Sequence, residues 1–414
     1  MTLSLGLYRA ATGLLEPIAP AVLARRARRG KEDPARLSER LGRSERARPA
    51  GPLVWLHGAS VGESLSILPL VERLRAERPG VTVLVTSGTT ASAALLARRL
   101  PAGAIHQYVP IDAPGAARRF IAHWRPDLAV FVESELWPNL LLEAKAAGTR
   151  LALVSAKLSD RSFARWSQRP DAARQLLSGF DLILVQDARA HERFEALGAR
   201  VSGEADLKFG SAPLPVDEPA LAVERARFLR PPLLIASTHP GEDEIVLDAI
   251  AALSDRPPVV LAPRHVERGP TILALARVRG LSAVLRSQAP GESADVVVAD
   301  TLGEMGLWFR LARTAVIAGS LVEGIGGHNP LEAARLDCPA ISGPFVENWT
   351  SAFAGLEAAG GVVMTSPEEL RDALVSDLAA PEGAKARAER ARAYVDARDA
   401  EARAGLSRIL ELVQ

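Results

Sequence analysis

The residue types most capable of chemistry in this chain are carboxylates and cations that follow short apolar runs. Leu53–Leu56 leads into His57-Gly58-Ala59-Ser60-Val61-Gly62-Glu63. Leu128–Val132 leads into Glu133-Ser134-Glu135-Leu136-Trp137-Pro138-Asn139. Further along, Val259–Ala262 is followed by Pro263, Arg264 and His265, and Val296–Ala299 by Asp300-Thr301-Leu302-Gly303-Glu304. After Ala315–Ala318 comes a loop with Gly319, Gly324, Gly326 and Gly327, then Asn329-Pro330-Leu331-Glu332. A carboxylate at such a position suits removal of a proton from a hydroxyl. An arginine suits a phosphate. A glycine-rich loop running into a helix start lets backbone approach a ligand closely and forms an anion site. These residue types offer a candidate proton acceptor and an anion site with a cation beside it.

Glu63 has two readings. Ser60-Val61-Gly62-Glu63 matches the capping box, with serine accepting from the third helical amide and glutamate reaching back to the amide of the cap. Leu65, Leu68, Val71 and Leu74 then share one helical face. A capping acid also suits the helix dipole. The alternative is a chemical role at the end of a buried strand, and both readings stand. Thr301 and Glu304 repeat the spacing, while Asn329 as cap, Pro330 as first helical residue and Glu332 as third form another helix start. Three helix N-termini thus follow apolar strands.

The elements that must hold these residues alternate along the chain. Strand candidates are Leu53–His57, Val81–Thr86, Ile105–Val109, Leu128–Val132, Leu151–Val154 and Leu182–Val185. A second series is Leu233–Ala236, Val259–Ala262, Val296–Ala299, Ala315–Ala318 and Ala340–Ser342. Short continuous apolar runs separated by helical stretches predict parallel strands buried on both faces. The expectation is an α/β protein of two doubly wound parallel-sheet domains facing a central cleft, with ligands outside the carboxyl ends of the strands. The proline-rich stretch 209–220 reads as the linker, and 382–414 as a C-terminal helix.

Composition narrows the function. With 414 residues, 48% hydrophobic, 24% charged and a net charge of +1, the chain is an ordinary globular protein of about two domains, and nucleic acid is not an expected partner. One cysteine, Cys338, rules out an internal disulfide framework. Neither G-x-x-x-x-G-K-[ST] nor a strand-to-helix G-x-G-x-x-G is present. His57, His239, His265 and His328 lie near strand ends but lack metal-ligand spacing, so no metal is expected. At the N-terminus, an apolar stretch broken by Arg9, Glu16, Pro17 and Pro20 precedes Arg25, Arg26, Arg28, Arg29 and Lys31. It is too interrupted to span a bilayer. It reads equally as a helix in the membrane interface or as one packed on the protein.

The motifs "SVGES", "ESELWPN", "LKF", "APRH", "LGEM" and "AGSLVEGIGGHNPLEAA" resemble those of the 3-deoxy-D-manno-octulosonic acid (Kdo) transferases of lipopolysaccharide synthesis. The similarity runs from about residue 5 to the C-terminal helix. It implies a GT-B fold with an acceptor-binding domain over 46–208 and a CMP-sugar-binding domain over 221–381, and no cofactor. It implies that residues 1–45 associate with the membrane, placing the protein peripherally on the cytoplasmic face of the inner membrane. The implied reaction moves Kdo from CMP-Kdo to a hydroxyl of a lipid A precursor with inversion. By the same resemblance Glu63 is the general base, and Glu133 and Lys208 stabilise the transition state. Pro263, Arg264, Leu302, Gly303, Glu304, Asn329, Pro330, Leu331 and Glu332 form the CMP site. A sugar-nucleotide 2-epimerase shares the expected architecture and is the enzymatic rival. A carbohydrate-binding protein without chemistry is the non-enzymatic one.

Overall fold

The computed structural model describes residues 1–211 and 213–413. The chain forms two compact units, Met1–Ser211 with Arg398–Gln414, and Ala212–Ala397.

The first unit contains β1 (Leu53–His57), β2 (Thr82–Ser87), β3 (Ile105–Tyr108), β4 (Leu128–Val132), β5 (Arg150–Ala156), β6 (Leu182–Val185) and β7 (Gly203–Glu204). They form one parallel seven-stranded sheet in the order β3-β2-β1-β4-β5-β6-β7. All five residues of β1 and all five of β4 are buried, as their unbroken apolar runs require when helices cover both faces. The strand order reverses between β1 and β4, so the segments leaving these two strands diverge and open a crevice at their carboxyl ends. One face carries a core of Trp55, Phe120, Phe131 and Phe194, and the other carries Val54, Leu56, Leu70 and Val130. Leu406, Ile409 and Leu410, from the end of the Pro381–Glu411 helix, complete the second core.

The second unit contains β8 (Leu233–Thr238), β9 (Val259–Pro263), β10 (Ala283–Leu285), β11 (Val296–Val298), β12 (Thr314–Ile317), β13 (Ala340–Ser342) and β14 (Val362–Met364). The sheet is again parallel, ordered β10-β11-β9-β8-β12-β13-β14, with its reversal between β8 and β12. Inside the stretch read as a linker, Asp217 caps a helix over Glu218–Arg227. The chain before it lies against the Met305–Leu311 helix so closely that a Cβ on Gly306 would sit 2.1 Å from the Pro215 carbonyl oxygen.

Helices Leu3–Leu15 and Ala19–Ala27 are tied to the first unit. The Tyr8 hydroxyl donates to Asp112 at 2.9 Å, and the Asn139 amide donates to Thr12 at 3.1 Å. Glu16 accepts from the Gly115 N–H and from Arg119, both at 2.8 Å. Leu5 and Leu23 are buried, yet Leu3, Leu7, Leu14, Leu15, Ile18 and Val22 are exposed. The segment is therefore packed on the protein through some of its residues and leaves other apolar residues exposed. Among the described residues no helix is long and apolar enough to cross a membrane.

Candidate active site

In the first unit the site is built on the β1–β4 reversal. The turn after β1 places Ser60 as cap of the Val61–Ser66 helix, its hydroxyl accepting from the Glu63 N–H at 3.2 Å. Glu63 returns the contact, but one residue further back than the capping box predicts. One carboxylate oxygen accepts from the Ala59 N–H at 2.8 Å and the other from the Ser60 hydroxyl at 2.8 Å. The carboxylate is thus fixed at both oxygens while only 8% of the residue is exposed. Burial first, and then the neighbouring charge of Glu135, push its carboxyl above the ordinary range; the bonds from Ser60 and Ala59 only partly offset this. A fixed carboxylate with a raised proton affinity is suited to accept a proton near neutral pH.

Glu133 leaves β4 with φ 61°, the left-handed region that costs a non-glycine residue on the order of 1 kcal/mol or more. Its N–H still bonds the Val154 carbonyl at 3.0 Å, so the strain re-aims the side chain without breaking the sheet. The carboxylate meets Lys157 at 2.9 Å and Lys208 at 3.5 Å. Lys208 arrives through an irregularity in β5. Ser155 has φ 49° at a register shift, and its hydroxyl accepts from the Leu207 N–H at 2.9 Å. Buried Asp206 then accepts from the Lys208 N–H at 3.0 Å. The structure therefore brings together Glu133 and Lys208, and places Glu133 among the charges that act on Glu63.

His57, Glu135, Trp137 and Lys157 belong to this cluster and have no role in the sequence reading. His57, fully buried, lies 2.9 Å from the Thr86 hydroxyl through Nδ1 and 3.3 Å from Glu135 through Nε2. The Trp137 indole also donates to Glu135. Burial raises the Glu135 carboxyl, but the bonds from His57 and Trp137 outweigh it and hold the group below the usual range, so it stays ionised beside Glu63. Lys157 stands one residue past β5. The i,i+2 spacing of Glu133 and Glu135 was the available signal for the second acid. Nothing in the sequence shows that Lys157, at the end of β5, reaches the acid that leaves the neighbouring strand β4. Asn139, within "ESELWPN", is structural. Its side-chain amide donates to the Asp112 carbonyl at 2.7 Å, and the Asp112 carboxylate caps the helix at Asn139 and Leu140 from outside it.

In the second unit the reversal between β8 and β12 is closed by Glu242. This fully buried carboxylate accepts from the N–H groups of His239, Gly319 and Leu321 at 2.9, 2.8 and 2.9 Å. It joins the end of β8 to the glycine-rich loop after β12. His239 and His328 stack at 5.1 Å with their Nε2 atoms 2.9 Å apart, so one ring donates and the other accepts. Burial pushes His328 down to about 4 and also lowers His239. Gly319, at φ 75°, leaves room for this pair, since a Cβ there would stand 2.7 Å from the His328 ring.

Arg264 follows β9, exposed, its N–H bonded to the Thr238 carbonyl at 3.0 Å. It acts electrostatically on His239, His328 and Glu332, so these residues share one neighbourhood. Pro263 is buried at the end of β9. Burial raises the Glu332 carboxyl, against the bond from Asn329 and the charges of Arg335 and Arg264. The last two sequence-predicted helix starts differ in detail. The helix after the glycine loop is Leu331–Ala334, preceded by Pro330, and Asn329 accepts from the Leu331 N–H at 3.0 Å. The helix after β11 begins at Met305, so Glu304 precedes it, bonded to Thr301 and to Arg286 at 3.2 Å. Leu302 and Gly303 are exposed, with Gly303 at φ 87°. All of these residues stand at the carboxyl ends of adjacent strands β11, β9, β8 and β12, the side where such sheets bind ligands. The arrangement offers a cation, backbone N–H groups and carboxylates, a set suited to a phosphate with a hydroxylated sugar.

Comparison with known proteins bears on the chain as a whole. The family described as 3-Deoxy-D-manno-octulosonic-acid transferase (kdotransferase) matches residues 35–211. The 3-deoxy-D-manno-octulosonic acid transferase of Rickettsia bellii is 37% identical over 377 residues, 89% of this chain and 89% of that one. Among solved structures, MurG of Acinetobacter baumannii matches with a TM-score of 0.58 at 13% identity, over 87% of this chain and 100% of that one. A putative UDP-N-acetylglucosamine 2-epimerase from Listeria monocytogenes matches with a TM-score of 0.52 at 17% identity, over 87% and 95% of the two chains. The structural matches establish the GT-B fold and do not separate transferase from epimerase; the sequence matches do.

Proposed function

From the premise that this chain belongs to the 3-deoxy-D-manno-octulosonic acid (Kdo) transferase family and is a glycosyltransferase, we propose that its donor is CMP-Kdo, that its acceptor is a hydroxyl of a lipid A precursor, and that Glu63 is the general base of an inverting transfer. The observation carrying this reading is the Glu63 carboxylate, buried, fixed at both oxygens and raised in proton affinity at the β1–β4 reversal. In the proposed step Glu63 takes the proton of the acceptor hydroxyl, and the hydroxyl oxygen forms a bond to the anomeric carbon of Kdo. The bond from that carbon to the CMP phosphate oxygen breaks, its electron pair leaving with the phosphate. A single displacement with one base inverts the anomeric centre. Arg264 and the N–H groups around the glycine-rich loop stabilise the charge that grows on the leaving phosphate. Glu133, held by Lys157 and Lys208, places paired charge beside the reacting groups.

The membrane part of the reading rests on the exposed leucines of the Leu3–Leu15 helix and the basic residues that follow. Apolar side chains in the interface, with Arg25, Arg26, Arg28, Arg29 and Lys31 near anionic headgroups, attach the protein peripherally to a lipid surface. For a lipid A precursor and a cytosolic nucleotide sugar, that surface is the cytoplasmic face of the inner membrane. Incubation with CMP-Kdo and a lipid A precursor, with product masses as readout, tests the whole. Growth of the lipid by one or more Kdo units is expected. Nucleotide hydrolysis without lipid modification, or turnover of UDP-N-acetylglucosamine instead, would overturn it.

A further inference from the structure

We propose that Arg161 and Arg165, continuing from Lys157, form a recognition strip for phosphate groups carried by the acceptor glycolipid; the proposal rests on the acceptor reading above. Lys157 stands one residue beyond β5, 2.9 Å from Glu133. The Asp160–Ser167 helix begins three residues later. Phe163 and Trp166 turn inward and pack on the aromatic core. Arg161 and Arg165, four apart, share the opposite face and are exposed. Among the described residues neither forms an ion pair. The neighbouring Arg189 and Arg193 both pair with Asp160.

The helix is a fixed platform. Ser159 accepts from the Ser162 N–H at 3.2 Å, and Arg193 also donates to the Leu158 carbonyl. Two guanidinium groups without an ion pair among the described residues therefore follow Lys157 at a set spacing, in a chain whose net charge is only +1. Guanidinium forks match phosphate oxygens two at a time, and preorganisation limits the entropy lost on binding. The next helix, Pro170–Leu177, carries Gln175, which accepts from the Thr2 N–H at 2.7 Å.

The phosphate can belong to the acceptor or to a surrounding headgroup, and the experiment separates the two. Transfer is measured in neutral-detergent micelles with a phosphorylated disaccharide lipid and with its enzymatically dephosphorylated counterpart. For the unaltered enzyme, loss of the phosphates is expected to lower kcat/KM by about 10–100-fold, the range for charge-assisted hydrogen bonds. R161Q/R165Q is expected to raise KM for the phosphorylated lipid by a similar factor, leave kcat unchanged and leave the dephosphorylated lipid unaffected. R161K/R165K is expected to recover part of the loss. Sedimentation with phosphatidylglycerol vesicles forms the second arm. A double variant that loses vesicle binding but keeps its KM in neutral micelles would assign the arginines to headgroups and overturn the proposal. Equal loss on both lipids, or no loss on either, would also overturn it. Absence of transfer to either lipid by the unaltered enzyme would instead sink the functional reading itself.

Discussion

Replacing Glu63 with glutamine separates the capping role from the chemical one. Glutamine keeps the cap because the hydrogen bonds can be redistributed. Its carbonyl oxygen accepts from the Ala59 N–H, and its amide donates to the Ser60 hydroxyl, which now donates to Glu63 at 2.8 Å. The local cost is at most the roughly 0.5–2 kcal/mol of a lost helix cap. A counter-term works the other way. Burial and then Glu135 raise the Glu63 carboxyl above its ordinary 4.5, so the fold favours the protonated form. Ionisation of Glu63 therefore costs stability, a cost that sets in as pH rises from the ordinary value through the raised one and is fully present above it. Glutamine carries no such cost. Glu63→Gln is thus expected to melt at or above the wild-type temperature at pH 7, the advantage fading as pH falls to where Glu63 is protonated. Catalysis should respond quite differently. An amide cannot take the acceptor proton, and a positioned base contributes about 10²–10⁴-fold, roughly 3–5 kcal/mol of barrier. The assay is single-turnover transfer of Kdo under saturating donor and acceptor, with calorimetric CMP affinity as a control. A folded variant that retains more than about a tenth of the wild-type rate would refute the base and leave only the cap.

Glu135→Gln removes a charge that raises the Glu63 carboxyl, so the acid limb of the kcat/KM profile is expected to move to lower pH; a profile that stays put or moves up would contradict the coupling. Arg264→Ala is expected to weaken CMP binding by about 1.5–3 kcal/mol in calorimetry, with little change in melting because the side chain is exposed. Leu7 and Leu14 are 63% and 82% exposed, so serine at both should leave the melting temperature nearly unchanged. It should reduce sedimentation with anionic vesicles at least about tenfold, since burying each leucine contributes roughly 1.5–3 kcal/mol.

Much of the fold is legible because parallel strands covered on both faces must be continuously apolar. β1, β4, β6 and β13 stand where their runs of Leu, Val, Ile and Ala predict, and other strands shift only at their ends. The strands without a prediction are β7, β10 and β14, of two, three and three residues. Gly203 and Glu204 have no apolar signal at all, and they form a strand only because the edge of β6 offers backbone partners. Strand order is less visible still. Nothing local distinguishes a strand added to one edge from a strand added to the other, so the two reversals emerge only in the folded sheets.

The site is legible to a different depth in each unit. Residues close to a strand end in sequence are close to it in space, which is why Glu63, Glu133 and Arg264 can be singled out from one chain. Their partners come from elsewhere in the fold. Lys157 and Lys208 reach Glu133 from the end of β5 and from beyond β7, His57 orients Glu135 from the far side of the reversal, and Glu242 binds a loop over seventy residues later in the chain. Such contacts depend on strand order, the feature that local patterns express least. The same geometry explains why capping and chemistry need not compete at Glu63. A capping box must lock a carboxylate at the start of a helix, and in a doubly wound sheet that helix starts at the carboxyl end of a strand, where ligands bind. In the proposed mechanism the cap supplies the rigidity that a general base requires, and burial, with the charge of Glu135, raises its proton affinity.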